Sequence, residues 1–236
     1  GRIEVRIHGM NDQDLSSLSG FFGAVPDSLY PNAVSNNGID IYLTREDLGE
    51  NIGGVYDANS ISVNPSYLYN LIDEGKEIPS HIYGSAMIML FLDAFHETIH
   101  WNIEGGVVQT LNPPQAENFP EGVSPYDYGY MVRNYLDQGM QNEASTYLSD
   151  FRNFYFGVID NKIMEERQVR GAEVEAINWL TTFDSGVGPA GRDKLIERTT
   201  NNGDFEENYY LGFKEELSMK FDSWQNVIDT SGDNNR

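Results

Sequence analysis

A continuous apolar segment near the middle of the chain constrains the fold more than any other feature. It runs from Ile82 to Phe95, and its central part, Ala86 to Leu92, is apolar on every side. Such a segment has to be surrounded by other parts of the protein, which predicts a helix through the core. Ser80 has the position of an N-cap, so the helix is expected to extend from there to Glu104. The apolar part is too short to cross a bilayer.

The residues before this helix indicate a small sheet. Alternating apolar and polar residues near the N-terminus are typical of a half-buried strand. Two short β-type runs joined by turn-forming residues predict a hairpin. The expected elements are strands at Ile3–Ile7 and Ile41–Leu43, a hairpin of Gly54–Tyr56 with Ile61–Val63, and a short helix at Tyr67–Glu74.

The residues after the helix indicate a loop and then mainly helices. Residues 105–125 contain four Pro and three Gly, which predicts a long loop. Beyond it, apolar residues recur at helical spacing, and further helices are expected near Ile159–Phe183 and Phe205–Ile228. The predicted fold class is α+β, as a single domain over 1–236. Residues 1–104 form the sheet and central helix, 105–125 the loop, and 126–236 the helical half.

Charge and cysteine content exclude several functions. The net charge is −22, so binding to the phosphates of nucleic acids or to anionic membranes is not expected. There is no cysteine, so any metal has to be bound through nitrogen and oxygen. Gly1 to Met10 does not have the pattern of a signal peptide. The oligomeric state has no sequence signal.

The central helix carries a metal-binding motif. His96 and His100 are four residues apart with Glu97 between them, as His-Glu-x-x-His. Positions four apart share a helix face, so both imidazoles can bind one ion while Glu97 projects beside them. Zinc lowers the pKa of a bound water, and a neighbouring carboxylate can accept its proton. The motif therefore predicts a zinc site with Glu97 as the catalytic base.

A catalytic zinc normally has three protein ligands, so one more is needed. The metzincin continuation of the motif is absent, because Ile103 and Gly106 occupy the positions where Gly and His or Asp are required. The sequence instead resembles the gluzincins, zincin peptidases in which a Glu on a later helix completes the site. Asn142-Glu143-Ala144 resembles their second motif. The resemblance covers roughly residues 80–156.

The resemblance implies that Glu143 is the third ligand. Met140 and Tyr147 lie three before and four after it, so Glu143 is also expected on the buried face of its helix. The rival third ligands are Glu104, Glu173 and Glu175. Thermolysin-like enzymes have an Asp four residues after the ligand Glu, where this chain has Tyr147.

Other roles follow from the chemistry of zinc sites and from the resemblance. Asp93, Asp150 or a backbone carbonyl is expected to orient an imidazole, since zinc-bound histidines usually donate their other N–H. In zincins the active-site helix lies under a sheet whose edge strand pairs with an extended peptide, and the strands before residue 64 would supply that edge. The resemblance also implies an oxyanion-stabilising side chain, with Tyr126, Tyr128, Tyr130 and His81 as candidates.

The sequence thus predicts a zincin-like metallopeptidase that acts on a protein or peptide. The alternatives are a zinc amide hydrolase for cell-wall peptides, a non-catalytic binding module stabilised by zinc, and a carbohydrate-active protein that uses paired carboxylates. The enzyme is expected to be secreted or to be the toxic domain of a larger bacterial effector. Structural calcium has weak signals at three oxygen-rich segments: 57–60, 203–204 and 231–233.

Overall fold

The fold is known from a computed structural model of the chain. It describes residues 4–9, 12–32, 38–46, 48, 54–57, 60–73, 80–105, 113–114, 127–183 and 187–233. The predicted loop of 105–125 lies largely outside these residues. No helix within the described ranges is both long and apolar enough to span a membrane.

The N-terminal part of the chain forms a four-stranded mixed sheet with three helices. The strands are β1 (Val5–His8), β2 (Ile39–Leu43), β3 (Gly54–Asp57) and β4 (Ser60–Val63), and the helices are α1 (Asp12–Ala24), α2 (Ser66–Asp73) and α3 (Ser80–Gly105). The strand order is β1-β2-β4-β3. β1, β2 and β4 are parallel, whereas β3 pairs antiparallel with β4 and forms an edge. The predicted hairpin is confirmed.

The C-terminal part is helical. Its elements are α4 (Tyr128–Asp137), α5 (Gln141–Phe183) and α6 (Pro189–Asp233). The predicted α+β class, with a small N-terminal mixed sheet and a mainly helical C-terminal half, is confirmed. The helices are longer than expected, since α6 also includes Gly203 and Asp204, which precede the predicted helix start at Phe205. A single Gly is tolerated inside a helix that packing stabilises.

The calcium signals do not gain support from these elements. Residues 203–204 and 231–233 belong to α6, so neither segment is a loop with converging oxygen atoms. Residues 58 and 59 lie outside the described part of the chain.

Contacts divide the chain into two compact units, each with its own core. Unit 1 contains 1–108 and 167–201, and unit 2 contains 109–166 and 202–236. The long helices α5 and α6 each contribute to both units.

The core of unit 1 is built around α3. Leu90, Phe91 and Leu92 are buried, as the apolar segment predicts. The ring of Phe91 packs on Phe21, Phe22, Phe95 and Trp179. One row of the sheet, Ile7, Ile41 and Ile61 in register, is also buried.

The helix α1 was not expected from the sequence. Its three Ser and two Gly have low helix propensity, which obscured the pattern. Leu18, Phe22 and Val25 are buried at helical spacing and were the available signal.

The core of unit 2 is aromatic. Phe151 and Phe221 are fully buried, and Tyr128 and Tyr155 pack against both. These contacts join α4, α5 and α6 within this unit.

The position of Phe91 gives a test of the unit 1 core. Phe91→Ala should reduce the free energy of unfolding by about 3–5 kcal/mol, because it removes a fully buried ring and leaves a cavity. The matched control is Phe205→Ala, since Phe205 is 63% exposed and its loss should change stability by about 0.5 kcal/mol or less. Urea unfolding measures both values. Equal effects of the two substitutions would contradict the assigned core.

Candidate metal centre

The two motif histidines face each other on α3. Their Nε2 atoms are 3.1 Å apart, and their ring centroids are 4.8 Å apart. Two nitrogen ligands of a tetrahedral zinc, each bound at about 2.05 Å, lie about 3.3 Å apart. His96 and His100 are therefore placed to share one ion. His100 is 6% exposed, so its imidazole is held in a fixed environment.

A carboxylate from α5 completes a set of three possible ligands. One ligand atom from each of His96, His100 and Glu166 lies within 4.8 Å of the others. Glu166 is 8% exposed and lies one residue before the stretch of α5 that belongs to unit 1. The helix is continuous at this point. The part of α5 that belongs to unit 1 therefore determines the position of Glu166. Two imidazoles and one carboxylate are a donor set that zinc accepts.

A second carboxylate of α5 contacts His96 from the other side of the ring. The Oε2 atom of Glu173 lies 3.3 Å from Nδ1 of His96, and both side chains are mostly buried. A carboxylate in this position favours a proton on Nδ1, which leaves the lone pair of Nε2 directed towards His100. Glu173 was a rival third ligand in the sequence, and the structure places it where it orients the ring instead.

Glu97 lies against the edge strand β3. A Cβ atom added at Gly54 would be 2.7 Å from Cγ and 2.9 Å from Oε1 of Glu97. The strand can therefore approach the carboxylate only because residue 54 has no side chain. Glu97 is 9% exposed. Its carboxylate is thus confined between α3 and β3.

Tyr56 is the next residue of β3 on the face that contains Gly54. It was not predicted as a site residue from the sequence. Its ring is parallel to that of His100, at an angle of 3° and a centroid distance of 6.0 Å. In the sheet register Tyr56 is opposite the buried Ile61. The alternation along the predicted hairpin was the available signal, because Gly54 and Tyr56 share a face and Val55 has the opposite one.

A buried polar network lies one turn before the motif. Asp93 accepts hydrogen bonds from the hydroxyl of Tyr67 at 3.2 Å and from the guanidinium of Arg198 at 2.9 Å. Burial raises the pKa of Asp93, and Arg198 opposes that effect. In the sequence Asp93 is a candidate for orienting an imidazole. The structure instead shows that it joins α3 to α2 and α6.

Glu143 occupies a different environment from the one expected. It is exposed in the first turn of α5, whereas Ala144, Tyr147 and Leu148 supply the buried face. The expectation that Glu143 faces the core is therefore wrong. It precedes Glu166 by 23 positions on the same continuous helix, which corresponds to about 34 Å. The structure brings Glu166, and not Glu143, to the histidines.

The remaining sequence candidates lie elsewhere or outside the described residues. The side chain of Glu104 and all of Tyr126 are outside them. Glu175, Asp150, Tyr130 and His81 are exposed, and Tyr128 packs in the aromatic core of unit 2. None of the described candidates for the oxyanion role is shown next to His96 or His100.

Glu166 was not predicted, although a signal was present. It follows the buried Ile159 and Ile163 at helical spacing, so it occupies a core position of α5. A carboxylate at such a position requires a compensating partner.

The ligand set predicts how zinc affinity responds to two glutamate substitutions on one helix. Glu166→Ala should weaken zinc binding by more than about 100-fold, because an atom that contacts the ion is lost. Glu143→Ala is the matched control and should retain the wild-type affinity. Competition with a chromophoric chelator measures both. The opposite result would restore Glu143 as the ligand.

The contact of Glu173 with His96 predicts a smaller effect. Glu173→Gln should lower zinc affinity by about 10- to 100-fold and leave the stoichiometry at one, because the ring loses its orienting carboxylate. The exposed Glu175 provides the control substitution Glu175→Gln. Equal affinities of these two variants would exclude an orienting role for Glu173.

Comparisons with protein-family models, with curated proteins and with solved structures found no match. The likeness of the two sequence motifs to those of gluzincins therefore stays a prediction. The function has to be argued from the geometry and chemistry of the site itself.

Proposed function

We propose that this chain is a zinc-dependent peptidase. The observation that carries the proposal is the convergence of ligand atoms from His96, His100 and Glu166, with Glu97 next to His96 in the same helix. A structural zinc site normally has four protein ligands, whereas a catalytic one has three and an open position. The three candidate ligands among the described residues, with Glu97 adjacent to His96 in the sequence, fit the catalytic type.

The donor atoms fit zinc in type and spacing. Two imidazole nitrogens 3.1 Å apart and one carboxylate form the proposed ligand set, and Glu173 supplies the orienting contact to His96. When bound, zinc would polarise the scissile carbonyl group and lower the pKa of a water molecule. The proposal replaces Glu143 by Glu166 and retains the other assignments of the motif.

Glu97 has the role of general base. Its carboxylate is next to the histidines in sequence and is held against Gly54. In this role it accepts a proton from the attacking water and then donates it to the leaving nitrogen of the peptide bond. Confinement by β3 limits the rotamers of the side chain, so the carboxylate is positioned before substrate arrives.

The edge strand β3 supports a peptide as the substrate. Within the described part of the sheet, β3 is hydrogen-bonded to β4 on one side only. An extended peptide can add to such an edge through main-chain hydrogen bonds. Because Gly54 and Tyr56 face α3, a peptide beside β3 would pass close to Glu97 and His100. This arrangement agrees with the zincin resemblance of the sequence.

Replacement of the general base tests the proposal. Glu97→Gln should reduce kcat by at least about 100-fold and leave zinc content unchanged, because the amide keeps the shape but cannot accept the proton. Hydrolysis of casein and zinc content are measured on the same preparations. Glu175→Gln serves as the exposed control. Undiminished cleavage by the Glu97 variant would contradict the proposal, and cleavage of peptidoglycan but not casein would favour the cell-wall amidase.

A further inference from the structure

A pocket in unit 2 lies between α4 and α5. Its volume is 360 Å³, and its lining residues are Tyr135 of α4 and Asn142, Glu143, Thr146, Tyr147 and Asp150 of α5. Glu143, Thr146 and Asp150 are exposed along α5, and Tyr147 is buried beside them. The pocket includes the Asn142-Glu143 pair of the second sequence motif, which the proposed peptidase site leaves without a role.

The two carboxylates of the pocket lack counter-ions. Neither Glu143 nor Asp150 has an ion-pair partner in the part of the chain that the structure describes, and the lining contains no Lys or Arg. The N-terminus of α5 offsets part of the charge of Glu143, but that effect is limited to the first turn and does not extend to Asp150. With a net charge of −22, the rest of the chain adds to the negative potential.

Tyr147 provides a second and independent observation. Its side chain is 94% buried, since it is 6% exposed, and its hydroxyl has no hydrogen-bond partner among the described residues. The ring packs edge-on against Tyr135 at a centroid distance of 5.8 Å, and both residues line the pocket. Burial raises the pKa of Tyr147 to about 12, so the phenol stays protonated at neutral pH. A buried hydroxyl is normally satisfied by a partner.

We propose that this pocket binds a linear organic dication, such as a polyamine or two lysine side chains of an extended peptide. The lining offers oxygen acceptors from carboxylates, an amide and hydroxyl groups, which suit ammonium donors. Glu143 and Asp150 are separated by about 10.5 Å along the helix, so each can contact one ammonium group. The two tyrosine rings suit the methylene chain between the ammonium groups and favour a cation.

Calorimetric titration of the full chain tests this binding. 1,8-Diaminooctane should bind, butylamine should bind at least about tenfold more weakly because it contacts one carboxylate, and triethylene glycol should not bind. A blocked Lys-Gly-Gly-Lys peptide, with Gln-Gly-Gly-Gln as its control, distinguishes a peptide source from a free polyamine. Binding of either cation supports the proposal. Failure of both, or equal binding of the neutral glycol, would overturn it.

Substitutions locate the site and separate it from the metal centre. Glu143→Gln and Asp150→Asn should each weaken 1,8-diaminooctane binding by about tenfold, and Tyr147→Phe should weaken it without loss of stability. Glu175→Gln is the exposed control. His96→Ala should leave binding unchanged, because the pocket does not include the metal centre. Amines that bind through zinc would instead lose affinity in that variant. Loss of binding in His96→Ala with none in the pocket variants would assign the dication to the metal centre and contradict the proposal.

Discussion

The structure of unit 1 depends on the burial of α3. A helix that is apolar on all sides in its central turns has to be covered on all sides, and here the sheet and several helices cover it. That requirement fixes the helix at the centre of the unit. The polar residues that follow in the same helix are then enclosed as well, which is why Thr98, His100 and Asn102 are buried. The cluster of His96 and His100 is a consequence of extending a core helix beyond its apolar part.

Enclosure makes each polar group depend on a specific partner. The hydroxyl of Thr98 donates to the carbonyl oxygen of Ala94, and Asn102 exchanges hydrogen bonds with Asn32. His96 has Glu173 on one nitrogen and His100 near the other. Because burial makes an unpaired polar group costly, these contacts define the orientation of the side chains as well as their positions.

Local sequence patterns predicted the features that depend on residues close together in the chain. The central helix, the β3–β4 hairpin and the spacing of His96, Glu97 and His100 each depend on residues within one segment, and the structure has those elements. Glu166 lies 66 positions after His100, and nothing in the sequence joins the two segments. The approach of Gly54 to Glu97 is likewise a tertiary contact. Glu143 was predicted from a resemblance of three residues and from a buried face of α5 that was assumed to be one position wider than it is.

Gly54, which has no side chain, allows the sheet to contact Glu97 of the helix α3. Since the strand backbone itself forms one wall around Glu97, any movement of that strand changes the space available to the carboxylate. A polypeptide that pairs with the outer edge of the strand would tighten this wall and restrain the base further. In the proposed peptidase, binding of a substrate at this edge and alignment of the proton acceptor would therefore be mechanically coupled.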